Sequence, residues 1–123
     1  MRHPKRKGFL LMAERSTPRP GRPVRGSTTG RPLLAAFDLL GRRWSLRVLW
    51  ELRDGPMGAR RLLAVCDGLS SSVLYDRLRE LREAGLVAQD DDGAYALTET
   101  GEALRSALAP LDGWAEEWSR GLG

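Results

Sequence analysis

Apolar residues recur at helical spacing over most of the chain and alternate with polar ones only in one short stretch. Leu33, Leu34, Phe37 and Leu40 mark a first helix that opens near Pro32 and closes at Gly41. A second helix is predicted from Trp44 to Arg53, with Trp44, Val48, Leu49 and Leu52 facing inward. Asp54-Gly55-Pro56 ends it, because glycine tolerates the conformation after a helix and proline cannot continue one. Met57-Gly58 leaves room for no more than one bridge of strand, and Ala59 to Cys66 reads as a short third helix with Ala59, Leu62, Leu63 and Cys66 on one side. After the tight turn Asp67-Gly68-Leu69 comes the clearest helix, Ser70 to Ala84, capped by Ser70, striped by Leu74, Leu78 and Leu81, and stopped by Gly85. Leu86–Gln89 and Ala94–Leu97 read as two short strands around an Asp90-Asp91-Asp92-Gly93 turn, where Asp-Gly is a strong hairpin signal. Thr98 caps a last helix reaching about Arg120, with Leu104, Ala107, Leu108, Leu111, Trp114, Ala115 and Trp118 as its apolar positions and Pro110 expected to kink it.

Helix, helix, short helix, helix, hairpin, long helix is the order of a winged helix-turn-helix: a mainly α fold with a small β-hairpin wing. At 123 residues the chain suits one compact core rather than two ordinary domains. The expected division is a disordered basic leader over residues 1–30 and one domain over 31–123, whose helix 98–120 serves dimerisation.

Charge sharpens that division. Residues 1–31 carry nine of the 20 basic side chains and one acid, Glu14, a balance of +8; the rest carries 11 basic and 15 acidic groups, a balance of −4. Pro4, Pro18, Pro20 and Pro23 alternate there with Gly8, Gly21, Gly26 and Gly30, so little apolar surface offsets chain entropy. Met12 is an alternative start. A charged flexible arm raises non-specific affinity for DNA without adding sequence preference, and the leader is a candidate for that role. Eighteen arginines stand against two lysines, with no Ile or Asn, which reads as a high-GC genome and weakens any single arginine as a signal.

Several chemistries drop out. No stretch approaches the ~18 apolar residues of a membrane span, and the cluster Phe9–Ala13 is shorter than the ~7–15 residues of a secretory signal, so the expected location is the cytoplasm. The single cysteine, Cys66, allows no intrachain disulfide or Cys-based zinc cluster, and the only histidine is His3. No spacing points to an enzyme, a metal or a cofactor. Cys66 shares the apolar side of its helix with Leu62 and Leu63, which favours a buried, inert thiol over a sensor.

The sequence resembles the HxlR-type winged helix regulators of bacteria. Five stretches carry the likeness: Ala36-Phe37-Asp38-Leu39-Leu40-Gly41-Arg42-Arg43-Trp44, Leu49-Trp50-Glu51-Leu52-Arg53-Asp54-Gly55-Pro56, Leu69 to Leu81, Ala84-Gly85-Leu86-Val87, and Tyr95 to Gly101. Each alone is weak; their order and spacing together are specific, and they span roughly Pro32 to Trp118. The resemblance implies a homodimer on double-stranded operator DNA, paired mainly through the first and last helices. Three departures stand out. Arg31 occupies a position where many members carry a cysteine, used by some as a redox or electrophile sensor. The wing is short, with an acidic tip at Asp90-Asp91-Asp92. Ser71-Ser72 replaces a common Pro-Lys, removing a charge from the reading helix.

With Leu74 inward, the 100° step between residues places Ser72, Asp76, Arg79 and Glu83 on the opposite side and Tyr75 on the flank. Ser71, Ser72, Tyr75, Asp76 and Arg79 are therefore the candidate base-reading residues. Arg42, Arg43, Arg60, Arg61 and the helix start at Ser70 are the candidate phosphate contacts. Leu33, Leu34 and Phe37 with Leu108, Leu111, Trp114 and Trp118 form the expected dimer seam, since aromatics carry much of the energy of such interfaces. An unidentified small-molecule effector is a further expected partner, seated between the first and last helices. The alternative is a module that keeps the fold for protein interaction or ligand binding and has lost operator recognition.

Overall fold

The computed structural model describes residues 16–123. It divides into two compact units, one running through Gly41 and the other from Arg42 to Gly123.

In the first unit, residues 16–30 are ordered into turns, where the composition had predicted disorder; the expectation for residues 1–15 lies outside the described residues. Val24 and Ser27 exchange backbone hydrogen bonds at 2.9 and 3.0 Å, and the Gly21 amide donates to the Gly30 carbonyl at 2.9 Å. Gly30 has φ +72°, and a Cβ there would collide with the Arg22 backbone, so the closure needs glycine. The turns are tied to the helix α1 (Pro32–Leu40) by the Arg25 amide, which donates to Asp38 Oδ2 at 3.0 Å. Hydrogen bonds thus supply the order that scarce apolar side chains could not. Ala35 and Leu39 of α1 are buried; Leu33 and Phe37 are exposed.

The second unit contains α2 (Ser45–Glu51), α3 (Ala59–Val65), α4 (Ser71–Glu83), β1 (Val87–Gln89), β2 (Tyr95–Leu97) and α5 (Glu99–Gly121). The strands pair antiparallel with Ala88 opposite Ala96, and Met57 adds the single bridge, exchanging hydrogen bonds with Tyr95 at 2.9 and 2.8 Å. The helix α2 packs against α3, α4 and α5, while α4 leans on β1 and α5 on β2. Val48, Leu52, Leu62, Cys66, Leu74, Leu78 and Leu81 make the buried centre.

The local reasons are legible. Ser70 Oγ accepts from the Val73 amide at 3.3 Å, the cap expected of that serine. At the other end of α4, Gly85 at φ +79° closes a Schellman motif: Leu86 N donates to Leu81 O at 2.9 Å and Gly85 N to Arg82 O at 3.0 Å. Thr98 caps α5 through the Gly101 amide at 3.0 Å. A Cβ on Gly101 would strike the Leu86 carbonyl, so the close crossing of α5 over the wing root requires that glycine. One expectation is adjusted: Trp44 is not the first turn of α2 but its N-cap, in the left-handed region at φ 73°. The last helix, α5, runs with Pro110 inside it to Gly121, close to the expected end at Arg120.

Candidate nucleic-acid interface

The turn Cys66–Ser70 joins α3 to α4 in a helix-turn-helix, and the Leu74, Leu78 and Leu81 stripe fixes which side of α4 faces out. Ser71, Ser72, Tyr75, Asp76 and Arg79 are all exposed, with Ser72, Asp76 and Arg79 opposite Leu74 on the helical wheel and Tyr75 on the flank. Tyr75 keeps 53% of its surface accessible and the Arg79 side chain 52%. Arg79 reaches Glu83 at 3.5 Å and Asp76 at 3.8 Å, loose surface pairs of the kind worth ~0–1 kcal/mol and readily exchanged for a base or phosphate.

Between α4 and the hairpin runs an open groove of about 640 Å³. Tyr75, Arg79 and Arg82 line it from the helix, Ala88 and Gln89 from β1. Arg82 is a residue the sequence reading missed: it donates to Gln89 Oε1 at 3.2 Å and places a second guanidinium one turn beyond Arg79. The i, i+3 spacing of the two arginines was the available signal.

The wing tip is acidic for a partly internal reason. Asp90 Oδ1 accepts from the Asp92 and Ala94 amides, both at 2.9 Å, so this carboxylate closes the turn. Asp91 and Asp92 remain exposed.

Of the four candidate phosphate arginines, Arg43, Arg60 and Arg61 are exposed. Arg42 is not among them in effect: its Nη1 lies 2.7 Å from Glu80 Oε2, and 16% of its side chain is accessible. The buried Glu80 carboxylate draws that guanidinium inward, a pairing across 38 positions that local spacing could not reveal.

The seam residues sit at the surface. Leu33, Phe37, Leu111, Trp114 and Trp118 are exposed, Leu34 and Leu108 half-buried. Trp114 and Trp118 stack with ring centroids 5.5 Å apart and planes 12° from parallel. A second groove, about 580 Å³ and mostly apolar, lies between α2 and α5, lined by Leu46, Trp50, Leu104, Leu108 and Leu111. The Arg53 guanidinium covers the Trp50 ring at 4.0 Å. Cys66 is fully buried, and burial pushes its thiol pKa up, opposed by the nearby Arg47 charge. Among the described residues no group of His, Cys, Asp or Glu could hold a metal ion, and no helix is long and apolar enough to cross a membrane.

The sequence profile of HxlR-like helix-turn-helix proteins matches residues 39–121. The helix-turn-helix transcriptional regulator YvaP of Bacillus subtilis is 34% identical over 89 residues, spanning 68% of this chain and 82% of YvaP. The crystal structure of quinone-bound YodB from B. subtilis superposes with a TM-score of 0.65 at 32% identity, covering 69% of this chain and 96% of YodB. A MarR-family transcriptional regulator from Enterococcus faecalis V583 gives a TM-score of 0.65 at 30% identity, over 78% and 96% of the two chains. Sequence profile, relatives and the outward face of α4 agree: this chain belongs to the HxlR-like helix-turn-helix family of DNA-binding transcriptional regulators, which are not enzymes.

Proposed function

We propose that the protein acts in the cytoplasm as a homodimer that reads a pseudo-palindromic operator, one α4 helix in each of two successive major grooves. The observation that carries this reading is the exposed outer face of α4, where Tyr75 and Arg79 project beside each other with no buried obligation. Arg79 is suited to guanine or a phosphate, Tyr75 to a thymine methyl or a phosphate, and Asp76 to cytosine N4; Ser71 and Ser72 stand at the helix entrance. Arg43, Arg60, Arg61 and the α4 start at Ser70 supply the backbone contacts that set register. Arg42 leaves that set because its charge is committed to Glu80.

Two copies pair through α1 and α5. Leu33 and Phe37 on the one helix, and Leu111, Trp114 and Trp118 on the other, support this because each leaves a large apolar side chain in water in a single copy. An effector then acts by altering the separation of the two α4 helices. With Arg31 where many HxlR-type members carry cysteine and Cys66 fully buried, a non-covalent ligand fits this chain better than thiol chemistry, and the apolar groove between α2 and α5 has room for one.

Selection of duplexes from a random pool tests the reading. The expected product is an inverted repeat with half-site centres 10–10.5 base pairs apart, about 34–36 Å. Arg79→Ala relaxes preference at one base pair at ~1–3 kcal/mol, whereas Arg43→Ala weakens all sequences alike and lowers the salt slope by about 1. A pool that yields no preferred sequence refutes the proposal and favours the interaction module.

A further inference from the structure

Glu80 is the one charged side chain buried among the described residues, and it belongs to α4. Its two carboxylate oxygens are divided between two guanidinium groups: Oε2 takes Arg42 Nη1 at 2.7 Å, and Oε1 takes Arg77 Nη1 at 2.6 Å. Arg77 lies on the same helix, but Arg42 comes from the turn before α2. That turn meets the helix-turn-helix a second time at its other side, where the Trp44 ring lies against Gly68, 3.9 Å from where a Cβ would sit. The left-handed Trp44, at φ 73°, sets the course of the turn between the two contacts.

We propose that Arg42, Glu80 and Arg77 form a positioning device that fixes the roll of α4, and so determines the register of Tyr75 and Arg79 on base edges. The inference rests on the reading of α4 as the base-reading helix. Stability does not account for the cluster. Withdrawing three charges from water is costly, and a buried ion pair commonly does no better than apolar residues of the same volume. Arg77 Nε is buried with no hydrogen-bond partner, so the network is not even fully satisfied. What the cluster adds over leucines is direction. Apolar packing tolerates a small roll, whereas the short charged bond from Arg42 does not, because Arg77, riding on α4 itself, holds the other oxygen and so fixes where the Glu80 carboxylate points. Geometry makes the roll matter: at about 6 Å from the helix axis, a rotation of roughly 10° moves a side chain by about 1 Å. That exceeds the ~0.5 Å range over which a hydrogen bond keeps its length. On the helical wheel Glu80 stands about 100° from Arg79, so holding it fixes the reading face without crowding it.

The test uses the duplex that the wild-type protein selects from a random pool and a scrambled duplex of the same length. The full chain carrying Arg42→Met, Arg77→Met and Glu80→Met together is expected to melt within a few degrees of wild type or above it. It keeps its affinity for the scrambled duplex within about threefold, and its ratio of selected to scrambled affinity falls about tenfold or more, against the ~10³–10⁷ typical of specific binders. A merely structural role would lower the melting temperature and leave that ratio in place. A phosphate role for Arg42 would weaken both duplexes alike and flatten the salt slope. If the triple variant does not fold, Arg42→Lys decides, because it keeps the charge and removes the planar fork. A ratio lowered about threefold at unchanged melting temperature supports the device. A ratio within about twofold of wild type in the folded variant overturns it. A wild-type protein that selects no sequence overturns the operator reading and the positioning device together.

Discussion

Cys66 shows how burial turns a reactive side chain into a packing atom. It is fully enclosed beside Leu62, and burial raises its pKa above the ordinary thiol value of 9.0. The sign of the consequence follows from proton linkage. As pH climbs past 9.0, the unfolded chain releases the thiol proton while the folded chain still holds it, so the folded state loses stability. Cys66→Ala abolishes this drift at the expense of a small cavity of about 1 kcal/mol. The melting-temperature advantage of wild type over the variant should therefore shrink between pH 7 and pH 10, and a constant gap would count against a raised pKa. The burial was legible beforehand, from helical spacing with Leu62 and Leu63. Glu80 and Trp44 were not. Each owes its state to a tertiary partner or a backbone conformation, and neither leaves a periodic trace in the sequence.

At the scale of elements, termini were read more reliably than partners. Ser70, Gly85 and Thr98 act as the local chemistry predicted, because a cap or a Schellman turn is decided within six residues. The strands came out one residue shorter at each expected start, since the Leu86 amide is taken by the end of α4 and Ala94 by the Asp90 turn. Turn formation in residues 16–30 was missed because its hydrogen bonds, including Arg25 to Asp38, replace the apolar contacts that sequence patterns detect. The cap at Ser70 offers a direct test. Ser70→Ala removes the acceptor for the Val73 amide and should cost ~1 kcal/mol. That lowers the melting temperature by about 4–8 °C in a domain of this size, and Ser70→Asp should recover most of it. Exposed Ser72→Ala, two residues beyond the cap and touching it only through a long 3.4 Å hydroxyl contact, should leave stability within ~0.5 kcal/mol.

For the whole molecule, the decisive quantity is how many copies work together. Beyond Gly101 no side chain of α5 is fully buried, yet the helix continues for five further turns with Leu111, Trp114 and Trp118 in water. Trp114 and Trp118 are each 56% exposed, and their mutual stacking covers only one face of each ring. A lone copy gains nothing from that arrangement, whereas an aromatic pair flanked by leucine is what the centre of a protein interface requires. Trp114→Ala with Trp118→Ala should leave the core of Val48, Leu52, Leu62, Leu74, Leu78 and Leu81 untouched, because neither ring belongs to it. The circular dichroism spectrum should accordingly persist, while sedimentation shifts from a dimer to the 13.6 kDa single chain. Losing the second copy converts a two-site engagement into one, so affinity for the full inverted repeat should fall by about 10²–10⁴ while affinity for an isolated half-site stays constant. Equal losses on both duplexes would mean that the tryptophans support α4 rather than a partner, and an unchanged sedimenting mass would move the seam away from α5.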